Sequence, residues 1–136
     1  MKKLENDDVK FWIEDGILHS IYKRPIEGTI ENVKRLMLLR RRISNDQKQY
    51  WCCQFEGMKP FTKDAREYVE IHSKELLYAL ACVVNSHVSH FLLSIFQKKN
   101  TSDFPFQIFK NKEEAIIWLK EMKQKIENGV KEKSYA

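Results

Sequence analysis

The stretch Tyr78–Phe96, YALACVVNSHVSHFLLSIF, decides how the rest of the chain is read. Its first half, Tyr78–Val84, is a run of small and apolar residues, the length of one strand and apolar on both faces. From Ser86 onward the period changes. Val88, Phe91, Leu92, Ile95 and Phe96 fall at i, i+3, i+4, i+7 and i+8, the spacing of an apolar helix face that Ser86 can cap. A doubly apolar strand that runs into an amphipathic helix is half of a βαβ unit in a covered parallel sheet.

Upstream, the segment Val9–Tyr22 alternates on either side of Asp15-Gly16, which is a hairpin signal between strands near 9–14 and 17–22. His19 falls on the second strand and reads as structural or exposed. Thr29 is an N-cap for a helix whose stripe is Val33, Leu36, Met37, Arg40 and Ile43. Arg40–Arg42 lie near its C-terminal end, where cations suit the helix dipole, and an anion-binding role stays open beside that one. Tyr50–Phe55 reads as a strand, broken by Gly57 and Pro60. Thr62 caps a second helix along Ala65, Tyr68, Val69 and His72.

Downstream, Gln97–Asp103 is a polar turn. Phe104–Phe109 is a last strand, and Pro105 places it at a sheet edge or places the proline at the strand start. Asn111 caps a final helix with Glu114 in the capping-box position, and Asn128-Gly129 ends it. The order is β-β-α-β-α-β-α-β-α. The expected fold is therefore a single α/β domain over residues 9–127, with one five-stranded mixed sheet and four helices. Residues 1–8 and 128–136 are expected to be flexible ends.

The totals agree with one domain. The chain has 136 residues, of which 43% are hydrophobic, enough for one core. No apolar run reaches the length of a membrane span, and MKKLENDDVK is too charged for a signal peptide. The expected setting is cytoplasmic. The three cysteines show no CxxC spacing, and adjacent Cys52 and Cys53 point to opposite faces of a strand. Net charge is +5, a surplus that serves solubility and attracts nucleic acid or an anionic surface only weakly; no nucleic-acid partner is expected.

The opening hairpin, the strand–turn YWCCQFEGM, the strand–cap–helix ACVVNSHVSHFL and the ending FQIFKNKEEAIIWL together resemble the STAS-like family of small anti-anti-sigma-factor domains. The resemblance spans about residues 9–123 and rests on the order of fold motifs, including the Ala-x-x-Trp-Leu run at Ala115–Leu119. It implies a non-enzymatic regulatory domain that binds a protein partner, such as an anti-sigma or sensor protein. It also implies a Ser or Thr phosphoacceptor at the start of the helix after the third strand, where this chain offers Thr62 in place of the family's serine pair. Related families hold lipids or small ligands in an apolar pocket.

The residues themselves name no reaction. No GxSxG, Rossmann glycine pattern or HExxH is present, so no catalytic residue, cofactor or metal is assigned. His87 and His90 share a helix face, but sequence places no third ligand beside them. Asn85, Ser86 and His87 lie where a parallel strand hands over to a helix N-terminus, the place where open α/β sheets bind anions or polar ligands. The expectation is a partner-binding domain, with a small-ligand or lipid binder using that turn and the apolar sheet as the alternative. An edge strand leaves homodimerisation open.

Overall fold

The computed structural model describes residues 2–99 and 104–135. In chain order the elements are β1 (Lys2–Glu5), β2 (Val9–Glu14), β3 (Ile17–Tyr22), β4 (Ile26–Gly28) and α1 (Ile30–Ser44). They continue as β5 (Gln49–Gln54), β6 (Met58–Phe61), α2 (Lys63–His72) and β7 (Leu77–Val83). The chain closes with α3 (His87–Lys99), β8 (Phe106–Phe109) and α4 (Lys112–Tyr135).

The apolar segment before Asn85 is an inner strand, with β5 on one side and β8 on the other, both parallel to it. Among the described residues the main sheet runs β1-β2-β3-β5-β7-β8. Its first two pairings are antiparallel and the rest are parallel. The Asp15-Gly16 turn closes the β2–β3 hairpin with both residues at positive φ, 53° and 76°, as the twist of such a hairpin requires. Pro105 precedes β8, and β8 is an edge of the sheet.

The expected sheet of five strands is corrected to six. Lys2–Glu5, assigned above to a flexible end, pairs with β2 as an added edge strand. Asn6 makes this possible: its side chain accepts from the N–H groups of Asp8 and Val9 and turns the chain back. A second, two-stranded sheet of β4 and β6 was not expected either. Pro60 sits within β6, tolerated because that strand pairs on one side only. The helix α4 does not stop at Asn128-Gly129 but continues to Tyr135. Gly129 faces open space there, so no packing contact ends the helix at that point. Of the expected polar turn Gln97–Asp103, residues 97–99 close α3, while 100–103 lie outside the described residues.

The strand order rises along the chain, and like-handed crossovers then put their helices on one face. Leu36, Leu39 and Ile43 of α1 and Leu93 of α3 join the core on that face, with α2 leaning on α1 through Val33, Ala65 and Val69. The opposite face is covered by α4, through Ala115 and Leu119. Four helices over a mixed sheet is the architecture foreseen; the strand count is not.

Candidate functional site: a hollow under three helices

Strands β5 and β7 present alternate residues to the two faces. Toward α4 they offer Tyr50, Cys52, Ala79 and Ala81, and small residues on both sides let helix and sheet approach closely. Toward α1–α3 the cross-strand rows are Leu18–Trp51–Leu80–Phe106 and Ser20–Cys53–Cys82–Ile108. Here Ser20, Cys53 and Cys82 of the second row are small while Trp51, Phe55, Phe61 and Phe96 are bulky, so the helices stand off the sheet above them. Between them lies a cavity of about 370 Å³, within the ordinary range of small-molecule sites.

Its floor is Trp51, Cys53, Leu80 and Cys82; α1 contributes Val33, Leu36 and Met37. Val69 of α2, Ser73 at its C-cap, and Leu92, Leu93 and Phe96 of α3 form the walls. Lys59, Arg66 and Glu70 bring charge to the lining. One side of the cavity is made by β6, which sequence reasoning missed; Pro60 and Phe61 belong to it.

Two polar side chains next to this hollow are buried with unmet hydrogen-bonding capacity. Ser73 is in the lining, and its hydroxyl has no partner. Arg40 is 3% exposed and lies over the ring of Trp51, 4.9 Å from its centroid. One guanidinium nitrogen donates to the carbonyl of Glu75, while Nε and a second terminal nitrogen have no partner. Burial and the neighbouring Arg41 bring its pKa down to about 10, so it remains a cation at neutral pH. Of the three arginines flagged by sequence, Arg40 is thus interior, while Arg41 pairs with Glu75 and Asp46 at the surface.

Cys53 and Cys82 are cross-strand partners that share the cavity floor. A hydrogen bond from Cys82, opposed by burial and aided by Ser20 and the Arg40 charge, shifts the Cys53 thiol downward. The same bond and burial push Cys82 well up. Cys52, on the α4 face, is pushed up to about 12 by burial and by the neighbouring Cys53. On that face His19 stacks on Trp12, centroids 5.1 Å apart, its Nδ1 buried without a partner. Burial and the nearby Lys112 charge hold its pKa below the usual range.

The turn after β7 is occupied by the protein itself. Glu56 accepts from the N–H groups of Asn85, at 2.6 Å, and Ser86, at 2.8 Å, and from the hydroxyls of Ser86 and Ser89. Burial raises the Glu56 pKa, but these bonds outweigh it and hold it below the ordinary carboxylate value. The anion position read from Asn85, Ser86 and His87 therefore contains an internal carboxylate, and His87 is exposed beside it. The signal was available in the sequence as the only acidic residue of the Tyr50–Met58 strand–turn, but its reach across 29 residues was not.

The bond from Ser89 to Glu56 also fixes the rotation of α3. Ser89 and Leu93 face inward, whereas Val88 and Phe91, placed by periodicity on the buried stripe, are 66% and 64% exposed. Thr62 caps α2 as expected: its hydroxyl accepts from the Ala65 N–H at 3.4 Å and stays at the surface. Among the described residues no group of three or more His, Cys, Asp or Glu is placed to hold a metal ion, and no helix is long and apolar enough to cross a membrane.

Compared with known proteins, residues 11–123 match the sequence model of a family described as a domain of unknown function (DUF7793). No curated protein and no solved structure matches.

Proposed function

The chain belongs to the DUF7793 family, and we propose that it binds an apolar small molecule or lipid chain in the hollow between the sheet and helices α1–α3. The observation that carries this reading is the cavity itself. A void of about 370 Å³ with Trp51, Leu80, Leu93 and Phe96 around it forgoes dispersion contacts that a tightly filled core would make. An apolar occupant restores them. This is the ligand-binding alternative read from the sequence, which used the apolar sheet and the Asn85–His87 turn; the proposed site keeps the sheet face and leaves out the turn. The function is binding, without turnover, and a cytoplasmic setting suits three unpaired, buried cysteines.

The test is displacement of a fluorescent fatty acid, dansyl-undecanoic acid, from the purified chain. Saturable binding is expected, and Val69→Phe, which puts a ring into the cavity, should weaken it about tenfold or more, roughly 1.4 kcal/mol. Binding that Val69→Phe leaves untouched, or no binding at all, would sink the proposal.

A second reading, the STAS-like regulatory domain that binds a protein partner, is favoured by the outward apolar residues of α3, Val88, Phe91 and Ile95. Thr62, exposed at the start of α2, would be its phosphoacceptor, where a phosphate meets a helix N-terminus. Phosphorylation of Thr62 in cells, found by mass spectrometry together with a co-purifying polypeptide, would favour it. A chain recovered alone and unmodified under several growth conditions would count against it.

A further inference from the structure

Among the buried serines, one hydroxyl is idle. Ser20, Ser44, Ser73 and Ser89 are all buried. The Ser20 oxygen accepts from the Trp51 indole at 2.9 Å, Ser44 donates to the Arg41 carbonyl, and Ser89 donates to Glu56. Ser73 is 5% exposed, and its hydroxyl has no partner. A serine at a helix end commonly returns its hydroxyl to a carbonyl one turn back, as Ser44 does at the end of α1. Ser73 instead ends α2 through its backbone N–H, which donates to the Val69 carbonyl at 2.8 Å. A buried hydroxyl left unpaired has given up water without replacement, which is costly.

The place of that hydroxyl is a separate observation. Of the buried side-chain polar atoms without a partner among the described residues, Ser73 Oγ alone belongs to a residue that lines the hollow. Arg66, Glu70 and Ser73 fall at i, i+4 and i+7, so one stripe of α2 carries all three along it. The two cations of the lining, Lys59 and Arg66, are exposed, and Lys59 pairs with Glu27 at 2.7 Å. Arg66 leaves the helix about 10 Å along the axis from Ser73. Glu70 lies between them, partly buried and already engaged in another contact. Positive charge is thus at the open edge, whereas the enclosed end has a neutral hydroxyl. Ser73 also stands at the C-terminal, negative end of α2, which disfavours an anion.

We propose that Ser73 holds the polar end of the ligand, and that this ligand is a neutral hydrocarbon with one hydrogen-bonding oxygen, an alcohol or a ketone. The proposal rests on the apolar-ligand reading above and specifies the ligand's head and its direction. The oxygen lies on Ser73 Oγ, and the chain runs over the floor of Trp51, Leu80 and Cys82. Serine can donate or accept, so a hydroxyl and a carbonyl both complete it. A carboxylate or an ammonium there would be stripped of water without a free counter-charge, and the negative end of α2 further opposes the carboxylate. A pure hydrocarbon would fill the space and leave the hydroxyl idle. Dansyl-undecanoic acid fits with its carboxylate at the open edge, beside Lys59 and Arg66.

The experiment is displacement of dansyl-undecanoic acid from the full chain by probes of one chain length: 1-octanol, 2-octanone, 1-chlorooctane, octanoate and octylamine. Ser73→Ala should weaken 1-octanol and 2-octanone about three- to tenfold, the size expected of one hydrogen bond, and leave 1-chlorooctane unchanged. Octanoate and octylamine should both bind the wild type more weakly than 1-octanol, a comparison that needs no variant. Ser73→Ala should lose no thermal stability, because the hydroxyl holds nothing in the free chain. A clear loss would give the hydroxyl a structural partner and overturn the proposal. So would an equal effect of Ser73→Ala on all probes, or none. Octanoate or octylamine binding at least as well as 1-octanol would overturn the neutral head. If 1-chlorooctane displaces the dye and Ser73→Ala changes nothing, this proposal fails and the apolar-ligand reading stands. If dansyl-undecanoic acid does not bind at all, that reading fails with it.

Discussion

The two faces of the one sheet are built from the same strands and reach opposite ends. Toward α4, Ala79 and Ala81 meet Ala115, and all three are fully buried. Small residues there bring the helix down onto the sheet and leave little room. Toward α1–α3 the small row Ser20–Cys53–Cys82 lies among aromatic residues that hold the helices away, and the result is a hollow. Small side chains therefore close one interface and open the other. The size of the residues above them decides which. The tight face is the frame, and the loose face is where chemistry can be housed.

The largest expected effect breaks this comparison most directly. Leu119 is fully buried on the tight face, and Leu119→Ala should lower stability by about 3 kcal/mol or more, because its neighbours cannot collapse into the space. Leu93→Ala removes a similar volume from the wall of the hollow, where the side chain already lacks contacts on one side. Its cost should be clearly smaller, about half. Urea unfolding of both variants measures the difference; equal losses would mean that the two faces are packed alike.

A smaller effect sharpens it. In β4, Gly28 lies against the backbone of β6: an added Cβ would meet the Pro60 carbonyl oxygen and sit 2.7 Å from that of Lys59. Gly28→Ala should cost about 1–3 kcal/mol by forcing these strands apart. Pro60 and Phe61 border the hollow, so dansyl-undecanoic acid should bind more weakly as well. Leu119→Ala, at the far face, should leave that binding unchanged at temperatures where it is folded. Affinity loss in both variants would show that the faces are not independent.

What could be read from the chain, and what could not, follows the range of the interactions. Local patterns carried the frame: the Asp15-Gly16 hairpin, the Thr29, Thr62 and Asn111 caps, and the doubly apolar β7 were all legible. Each is decided within a few residues. The strand β1 was missed because Lys2–Glu5 has no apolar alternation; its pairing comes from the Asn6 turn and the β2 edge. The small sheet of β4 and β6 was missed because three residues beside a proline and four that contain one give no period. The cavity was illegible for a different reason. A void is what residues far apart in sequence fail to fill, and no single stretch records it. The same distance hid Glu56, whose partners are on the far side of α2.

Glu56 gives the last and smallest test, and it concerns what holds the roof of the hollow. Its carboxylate receives the free N–H groups at the start of α3, the helix that contributes Leu92, Leu93 and Phe96 to the cavity. The folded-state pKa is below the ordinary value of 4.5, so the folded chain favours the ionised form. The stabilisation is then fully present above about pH 4.5 and is lost as pH falls through the lower, folded-state value. The group is partly open to water, which screens it, and a capping contribution of about 1 kcal/mol is the right order. Glu56→Gln should therefore be less stable than the wild type by about that amount at neutral pH, with the gap closing in acid. Denaturant titrations at the two pH values measure it. A gap that persists in acid would show that the carboxylate acts by shape alone; a gap absent at both would show that α3 is held down by its inward apolar residues without help from its capped end.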